Sequence, residues 1–189
     1  MLEYIKELKE ELDRLDVEKV NGLAKRIVET SSKGNDTYII GNGGSAVTAS
    51  HWACDLNKGI LSSFYNPNQR RLKVTSLTDN VAILTAMAND LGYEEIFSQQ
   101  IRNRIKKDDL LITMSGSGKS KNIIYGSKTA KEKGAYIFSL LGFDGGEMIH
   151  ISDDYIKIDS KNYGIIEDIF SSIGHLITMK IKNEENRHL

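Results

Sequence analysis

The chain has 189 residues, of which 40% are hydrophobic and 27% charged, with a formal net charge of −1 and a pI near 6.4. That length suits one ordinary domain with a full core, and the balanced charge excludes the concentrated surplus of Lys and Arg that nucleic-acid binding requires. A single cysteine, Cys54, excludes an internal disulfide. Because there is also no signal peptide and no long apolar stretch, we expect a cytoplasmic protein that binds no membrane.

The N-terminal part of the chain carries apolar side chains at helical spacing. They predict two helices, through the positions Ile5, Leu8, Leu12, Leu15, Val20, Leu23, Ile27 and Val28. We expect these helices to form an arm over residues 1–34, ahead of an α/β core over residues 35–189, in a single domain. Since such an arm has no strand of its own to cover, we expect its apolar stripe to pack against another subunit of an oligomer.

After the arm, short β-rich segments alternate with longer helical ones. The predicted strands are residues 37–40, 72–77, 109–114, 135–141 and 155–158, and the predicted helices are residues 45–57, 81–88, 94–105, 119–133 and 165–183. Strands that alternate with helices indicate a parallel sheet covered on both faces, which is a doubly wound α/β fold. In such folds the ligand site lies at the carboxyl ends of the strands.

A glycine-rich loop, residues 41–45, follows the first predicted strand and leads directly into a helix. Its glycines let a ligand approach the backbone, and the free N–H groups of the helix start, with the Ser45 hydroxyl, suit a phosphate. The loop also fits the dinucleotide pattern Gly-x-Gly-x-x-Ala through Gly41, Gly43 and Ala46. That pattern requires an acidic residue about twenty positions on to hold a ribose, and residues 60–64 contain none.

A second loop, residues 115–120, lies between an apolar strand and another helix. Its end resembles a nucleotide-binding Walker A loop, but Thr113 stands where that motif has its first glycine. The serines of the loop offer several hydroxyl groups to an anion. Either loop alone could be only a tight turn, whereas two such loops at strand ends in one small sheet favour a phosphate site between them.

Four side chains have the spacing of a metal site. His51 and Asp55 are four residues apart on one predicted helix, and Glu167 and His175 are eight apart on the last one. If the two helices face each other, two imidazoles and two carboxylates converge, a set that suits Zn²⁺ or a similar ion and includes a possible general base. The alternative is that His51, next to Trp52, is a hydrogen-bonded core residue and that Glu167 belongs to a solvated acidic turn.

Together these motifs resemble those of the phosphoheptose isomerases, a family of the sugar isomerase (SIS) superfamily, over nearly the whole chain. The resemblance is carried by residues 41–46 with His51, by residues 84–90 and 92–94, and by residues 115–120, 145–148 and 173–175. It implies a five-stranded parallel sheet of the SIS fold with a helical N-terminal arm. It also implies a homotetramer whose active sites lie between subunits.

The resemblance assigns roles to individual residues. It implies that Asp55 and His175 are the catalytic acid/base pair, and that a divalent metal such as zinc is held by His51, Asp55, Glu167 and His175, with no organic cofactor. The residues implied to bind the sugar phosphate are Asn42, Gly43, Ser45, Asp90, Ser115, Gly116, Ser117, Ser120 and Glu167.

Several departures from the family pattern fall in this site. The catalytic Glu of the family is Asp55 here, its metal-ligating Gln is Glu167, and its loop Thr is Gly116. A substrate-contacting Arg of the family falls at Gly59, and an Asp before the last helix falls at Gly164. These changes bear on the identity of the sugar more than on the chemistry.

The resemblance implies an aldose–ketose isomerase that interconverts sedoheptulose 7-phosphate and D-glycero-D-manno-heptose 7-phosphate through a cis-enediolate. A carboxylate, Asp55 or alternatively Glu167, would move a proton between C1 and C2, and His175 would serve the oxygens. Two other functions stay open: an isomerase for a different sugar phosphate, and a non-catalytic SIS scaffold that binds a partner of the replication-initiator type. The presence of Asp55 with both histidines favours an enzyme.

Overall fold

The computed structural model of the protein describes residues 1–61 and 64–186, without the side chain of Asn186. Two helices come first, α1 over Leu2–Asp13 and α2 over Val17–Ser32, as the apolar spacing predicts. Asp16 separates them and caps α2, because its carboxylate accepts a hydrogen bond of 3.0 Å from the backbone N–H of Lys19.

Strands and helices then alternate to the end of the described chain. The strands are β1 over Thr37–Gly41, β2 over Val74–Ser76, β3 over Leu110–Ser115, β4 over Tyr136–Leu141 and β5 over Asp154–Lys157. The helices are α3 over Gly44–Cys54, α4 over Val81–Leu91, α5 over Ser98–Arg104, α6 over Lys121–Glu132, α7 over Met148–Ile151 and α8 over Tyr163–Asn186. Among the residues described, no helix combines the length and the apolar character that a membrane span requires.

The five strands form one parallel sheet in the order β2-β1-β3-β4-β5. β1 and β3 are neighbours, with Thr37 opposite Leu110 and Gly41 opposite Met114. The chain winds away from this pair in both directions, so the strand order reverses between β1 and β3, where open α/β sheets bind ligands. The doubly wound, five-stranded parallel sheet is thus confirmed, and both glycine and serine loops lie at the reversal point.

Helices cover both faces of the sheet. One face packs against a cluster that includes Trp52, Leu56 and Phe170, and the other against a cluster that includes Phe97 and Ile123. Every residue of β1 and β3 is buried. Continuous burial of this kind is expected for parallel strands enclosed on both sides.

The boundaries differ from the prediction mainly near the site. The predicted helix 45–57 is α-helical only to Cys54 and continues as a π-helical turn over Asp55–Gly59. The predicted helix 94–105 consists of a 3-10 turn over Tyr93–Glu95 followed by α5, and α7 was not predicted. A helix of a single turn has too few residues for a helical spacing of apolar side chains to be recognised in the sequence. π turns occur frequently at functional sites.

The arm uses part of its apolar stripe within the chain. Tyr4, Leu8 and Leu15 pack against the core cluster that contains the apolar face of α8. Ile5 and Leu12 remain exposed, at 45% and 39%. Leu8 and Leu15 therefore have partners within their own chain, contrary to the expectation that the whole stripe packs against another subunit.

Candidate active site

The loop between β1 and α3 is shaped by glycines. Gly43 has a φ of +56°, in the left-handed region that glycine tolerates best. A Cβ on Gly44 would overlap the carboxylate of Glu167. The missing side chain therefore lets a carboxylate from α8 lie against the start of α3, where Oε1 of Glu167 is 3.5 Å from the hydroxyl of buried Ser45. The positive end of the α3 dipole favours a negative charge there.

The loop between β3 and α6 is held in shape by its own serines. Gly118 donates its backbone N–H to Oγ of Ser115 at 3.1 Å, and Lys119 donates its N–H to Oγ of Ser117 at 3.3 Å. Gly118 has a φ of +64°, and a Cβ there would overlap the backbone of Gly145. In the part of the chain that the structure describes, the hydroxyl of Ser120, the N-cap residue of α6, makes no capping hydrogen bond and is available to a ligand.

The two loops and the start of α8 enclose a small cavity at the reversal point of the sheet. It is lined by Asn42, Ser45, Met114, Ser115, Gly116, Ser117, Ser120, Tyr163 and Glu167. Most of the residues expected to bind a sugar phosphate are thus brought together. Hydroxyl groups and free backbone N–H groups at two helix starts suit a phosphate.

Two of the expected substrate residues lie apart from the cavity lining. Gly43 lies in the first loop, where its positive φ turns the chain. Asp90 lies in the last turn of α4, is exposed, and accepts a hydrogen bond of 2.8 Å from the side-chain amide of Asn89. Their contacts with substrate stay predictions.

A second group of side chains meets further along α8. Oδ2 of Asp55 lies 3.3 Å from Nε2 of His51 and 3.8 Å from Nε2 of His175. The two Nε2 atoms are 3.4 Å apart, and the rings meet edge to face. The alternative of a buried core histidine is wrong for His51, because 49% of its side chain is exposed. We call these three residues the His-Asp-His group.

The convergence of this group depends on the close approach of α3 and α8. A Cβ on Gly174 would overlap the indole of Trp52, so the glycine allows the two helices to touch. The indole Nε1–H donates a hydrogen bond of 3.0 Å to the backbone carbonyl of Phe170. These contacts fix the relative position of the helices, and the π turn that follows α3 begins at Asp55.

The His-Asp-His group fits a divalent metal ion. In a tetrahedral zinc site with bonds of 2.0–2.1 Å, neighbouring ligand atoms are about 3.3–3.4 Å apart. The three separations here, 3.3, 3.4 and 3.8 Å, are close to that value. Two imidazoles and one carboxylate would leave one position open, as in catalytic zinc sites. Glu167, the fourth expected ligand, lies outside the group, and its role as a ligand stays a prediction.

The prediction missed Tyr93, Asn122 and Tyr163 as residues at or next to the cavity. Asn42 and Asn122 exchange two amide hydrogen bonds of 2.9 and 2.8 Å, and the hydroxyl of Tyr93 donates to Oδ1 of Asn42 at 3.0 Å. A Cβ on Gly116 would lie only 2.8 Å from the ring of Tyr163. Only Tyr93 belongs to a segment that carried the family resemblance, residues 92–94. Asn122 and Tyr163 reach the cavity because elements remote in sequence pack together.

The remaining departures from the family pattern also lie at close contacts. A Cβ on Gly59 would be 3.1 Å from Cγ2 of Thr178, and a Cβ on Gly164 would be 3.1 Å from the hydroxyl of Tyr4. Each glycine therefore faces another side chain of this protein. The space that a larger residue would need is already partly filled.

The comparisons with known proteins agree with this architecture. Residues 2–142 match the family model of the SIS domain. The phosphoheptose isomerase of Aneurinibacillus thermoaerophilus is 39% identical over 168 residues, which are 89% of this chain and 80% of that protein. The phosphoheptose isomerase of Aliarcobacter butzleri is 36% identical over 161 residues, which are 85% of this chain and 82% of that protein.

Solved structures are similar over nearly the full length. The phosphoheptose isomerase GmhA from Neisseria gonorrhoeae superposes with a TM-score of 0.85 at 26% identity, covering 96% of this chain and 94% of that one. A phosphoheptose isomerase from Francisella tularensis gives the same TM-score and identity, with 96% and 93% covered. The family match, the identity to curated relatives and the shared fold establish that this chain belongs to the phosphoheptose isomerase family of SIS-domain proteins.

Proposed function

We propose that the protein interconverts sedoheptulose 7-phosphate and D-glycero-D-manno-heptose 7-phosphate, as an aldose–ketose isomerase. Relatives with identities of 36% and 39% carry the name phosphoheptose isomerase. The observation that carries the proposal is the arrangement of two sites along α3 and α8. A cavity suited to phosphate lies at their start, and the His-Asp-His group lies further along the same pair of helices.

The distance between these sites suits a long substrate. Glu167 at the cavity and His175 in the His-Asp-His group are eight residues apart on α8, which corresponds to about 12 Å at a rise of 1.5 Å per residue. An open-chain heptose phosphate with its phosphate beside Ser117 and Ser120 would extend towards the His-Asp-His group. A triose phosphate is much shorter and would leave one of the two sites without substrate.

In the proposed mechanism, phosphate binding holds the open-chain sugar in place for proton transfer. Asp55 takes a proton from C1 of the ketose and returns it to C2, while His175 moves a proton from O1 to O2 through a cis-enediolate. Oδ2 of Asp55 faces the two imidazoles, which leaves Oδ1 for the substrate proton. Glu167, the alternative base, would require the substrate to bind with C1 and C2 at the cavity instead.

A divalent metal such as zinc, held by His51, Asp55 and His175 with Glu167 as the proposed fourth ligand, would stabilise negative charge on the enediolate oxygens. The residues of the chain supply the proton transfers. Because the reaction redistributes hydrogen within one substrate, it needs no organic cofactor.

We further propose a cytoplasmic homotetramer with active sites between subunits. Helix α4 supports the assembly, because it is rich in apolar residues and yet none of its residues is buried. Val81, Leu91 and the adjoining Tyr93 are 68%, 54% and 58% exposed. Leu84 and Met87 pack partly against the core, but the outer residues of α4 include apolar side chains that its own chain leaves exposed, and a second copy of this chain would cover them. The single exposed Cys54 is compatible with a reducing compartment.

Incubation with a panel of ketose and aldose phosphates in D₂O, followed by NMR, tests the reaction. We expect conversion of sedoheptulose 7-phosphate with solvent deuterium at C2. Conversion of another member of the panel alone would support the isomerase for a different sugar, which the glycines at positions 59, 116 and 164 make the second candidate. Binding of sugar phosphates without any conversion would contradict the proposed activity and support a scaffold.

A further inference from the structure

Tyr163, the first residue of α8, stands at the edge of the phosphate cavity. Its side chain lines the cavity together with Ser115, Ser117 and Glu167. The residue is 54% exposed, so one side of its ring is accessible from the cleft. In the described part of the chain its hydroxyl has no hydrogen-bonding partner.

Gly116 makes room for this ring. A Cβ at position 116 would lie 2.8 and 2.9 Å from two ring carbons of Tyr163, closer than real side chains approach each other. Unlike Gly118, Gly116 does not have a positive φ, so its backbone conformation would accept any residue. The ring of Tyr163, rather than the backbone, therefore requires glycine at this position.

The ring is also supported by Phe143, which follows β4. The two ring centroids are 4.9 Å apart with an interplanar angle of 51°. The backbone of Phe143 is tied to the segment before α8, because its N–H donates to the carbonyl of Ser160 at 3.0 Å. Phe143 lines a neighbouring cavity with Lys119 and Lys161, and Ser117 borders both that cavity and the one lined by Tyr163.

We propose that Tyr163 is a specificity-determining residue, whose ring forms a wall against which the carbon chain of the phosphorylated sugar lies. Its hydroxyl would donate a hydrogen bond to a sugar hydroxyl, and Gly116 keeps the ring beside the bound phosphate. The inference rests on the proposed function, since it takes a sugar phosphate as the occupant of the cavity. An apolar wall with one polar group is typical of sites that select among similar ligands.

The first test compares three ligands by calorimetric titration: inorganic phosphate, a ketopentose 5-phosphate and a ketoheptose 7-phosphate. We expect Tyr163→Phe to weaken heptose phosphate binding by about three- to tenfold, as the loss of one hydrogen bond predicts. Tyr163→Ala should weaken it further and bring the affinities for heptose phosphate and inorganic phosphate closer together. Both variants should bind inorganic phosphate as the wild type does. Equal weakening for all three ligands would overturn the inference, because the ring would then only support the loop.

The second test introduces a methyl group next to the ring. Gly116→Ala should displace the ring and reduce heptose phosphate affinity in the wild type, but should have little effect in a Tyr163→Ala background. Equal effects in both backgrounds would contradict a role for the ring, and thermal unfolding of each variant controls for loss of fold. Because these tests measure binding, a wild type that binds the heptose phosphate without isomerising it would refute the proposed activity and leave this inference standing.

Discussion

At the scale of single residues, the site depends on where Asp55 lies. The side chain is one methylene shorter than the Glu that the family pattern has at this position, yet its Oδ2 reaches both histidines. Asp55 begins the π turn after α3, and Gly59 ends that turn. The local backbone and the shorter acid are thus suited to each other.

Asp55→Asn should reduce isomerisation by at least about a hundredfold, since general acid–base catalysis contributes that much and an amide cannot take up the substrate proton. Sugar-phosphate binding should stay close to that of the wild type. Deuterium incorporation at C2 measures the change. Asp13→Asn, exposed on α1, is the control, and Asp55→Glu tests whether the pocket accepts the longer acid. Turnover of Asp55→Asn at the wild-type rate would refute the catalytic role.

Ser117→Ala and Ser120→Ala should each weaken inorganic phosphate binding by about three- to tenfold without loss of fold, because each removes one hydrogen bond to the anion. A matched control exists in α6: the hydroxyl of Ser127 is buried and has no hydrogen-bonding partner among the described residues. Ser127→Ala should therefore leave phosphate affinity unchanged. Isothermal titration with phosphate measures the affinity, and unchanged affinity in both loop variants would rule out a phosphate site at these serines.

Protein prepared with Zn²⁺ should retain about one metal ion per chain, as a site with three closely spaced N and O ligands predicts. His51→Ala should release it, because two ligands would remain. Glu167→Gln tests whether Glu167 is the fourth ligand. Loss of the metal would support that role, whereas retention would indicate that Glu167 contributes to the cavity and not to metal binding. Elemental analysis after dialysis measures the metal content. Full activity of the metal-free wild type would show that the His-Asp-His group acts in proton transfer without a metal.

At the scale of elements, the arm is fastened to α8 by polar contacts as well as by apolar packing. The hydroxyl of Tyr4 donates to Oδ2 of Asp168 at 2.6 Å, and the hydroxyl of Ser160 donates to Oε1 of Glu7 at 2.5 Å. Asp168 directly follows Glu167 in α8. The arm thus contacts α8, the helix that carries Glu167 at the cavity and His175 of the His-Asp-His group.

The pH dependence of unfolding tests this docking. The hydrogen bond to Asp168, with partial desolvation and the charge of that carboxylate, raises the pKa of Tyr4 from 10.0 to about 12. The folded state therefore favours the protonated phenol, so this stabilisation is full below pH 10 and is lost between pH 10 and about 12. The difference in unfolding free energy between wild type and Tyr4→Phe, from urea titrations, should shrink over that range. A difference independent of pH would contradict the contact.

At the scale of the whole molecule, two exposed apolar surfaces compete as the subunit interface. One is on the arm, where Ile5 and Leu12 are exposed, and the other is on α4, around Val81 and Leu91. A substitution at Leu8 cannot distinguish the two surfaces, because Leu8 packs within its own chain. The arm alone was expected from sequence, while the exposure of α4 became evident only from the fold.

Charged substitutions can show which of the two surfaces is the subunit interface. Val81→Lys with Leu91→Lys should dissociate the oligomer, since burial of two ammonium groups at an apolar interface is strongly unfavourable. Leu12→Lys, at an exposed apolar residue of the arm, is the comparison and should leave the assembly intact. Light scattering measures the mass in solution. A monomeric wild type, or dissociation by Leu12→Lys alone, would refute α4 as the interface.

The sequence by itself determined the parallel sheet, the two loops at the ends of strands and the residues of the site that lie within those loops, such as Ser45 and Ser117. These features depend on local spacing and on backbone geometry, which neighbouring residues specify. His51 and His175 could be named as partners only on the condition that their helices meet, because spacing within a helix does not determine which other helix it contacts.

Only the tertiary structure decided that Glu167 lies outside the His-Asp-His group, that Tyr163 fills the space beside Gly116, and that α4 is only partly covered by its own chain. Each of these outcomes depends on contacts between elements far apart in sequence. The close contact of Trp52 with Gly174 brings α3 against α8, and the His-Asp-His group forms as its result. No local pattern encodes such an approach, because it arises from the fit of two remote surfaces.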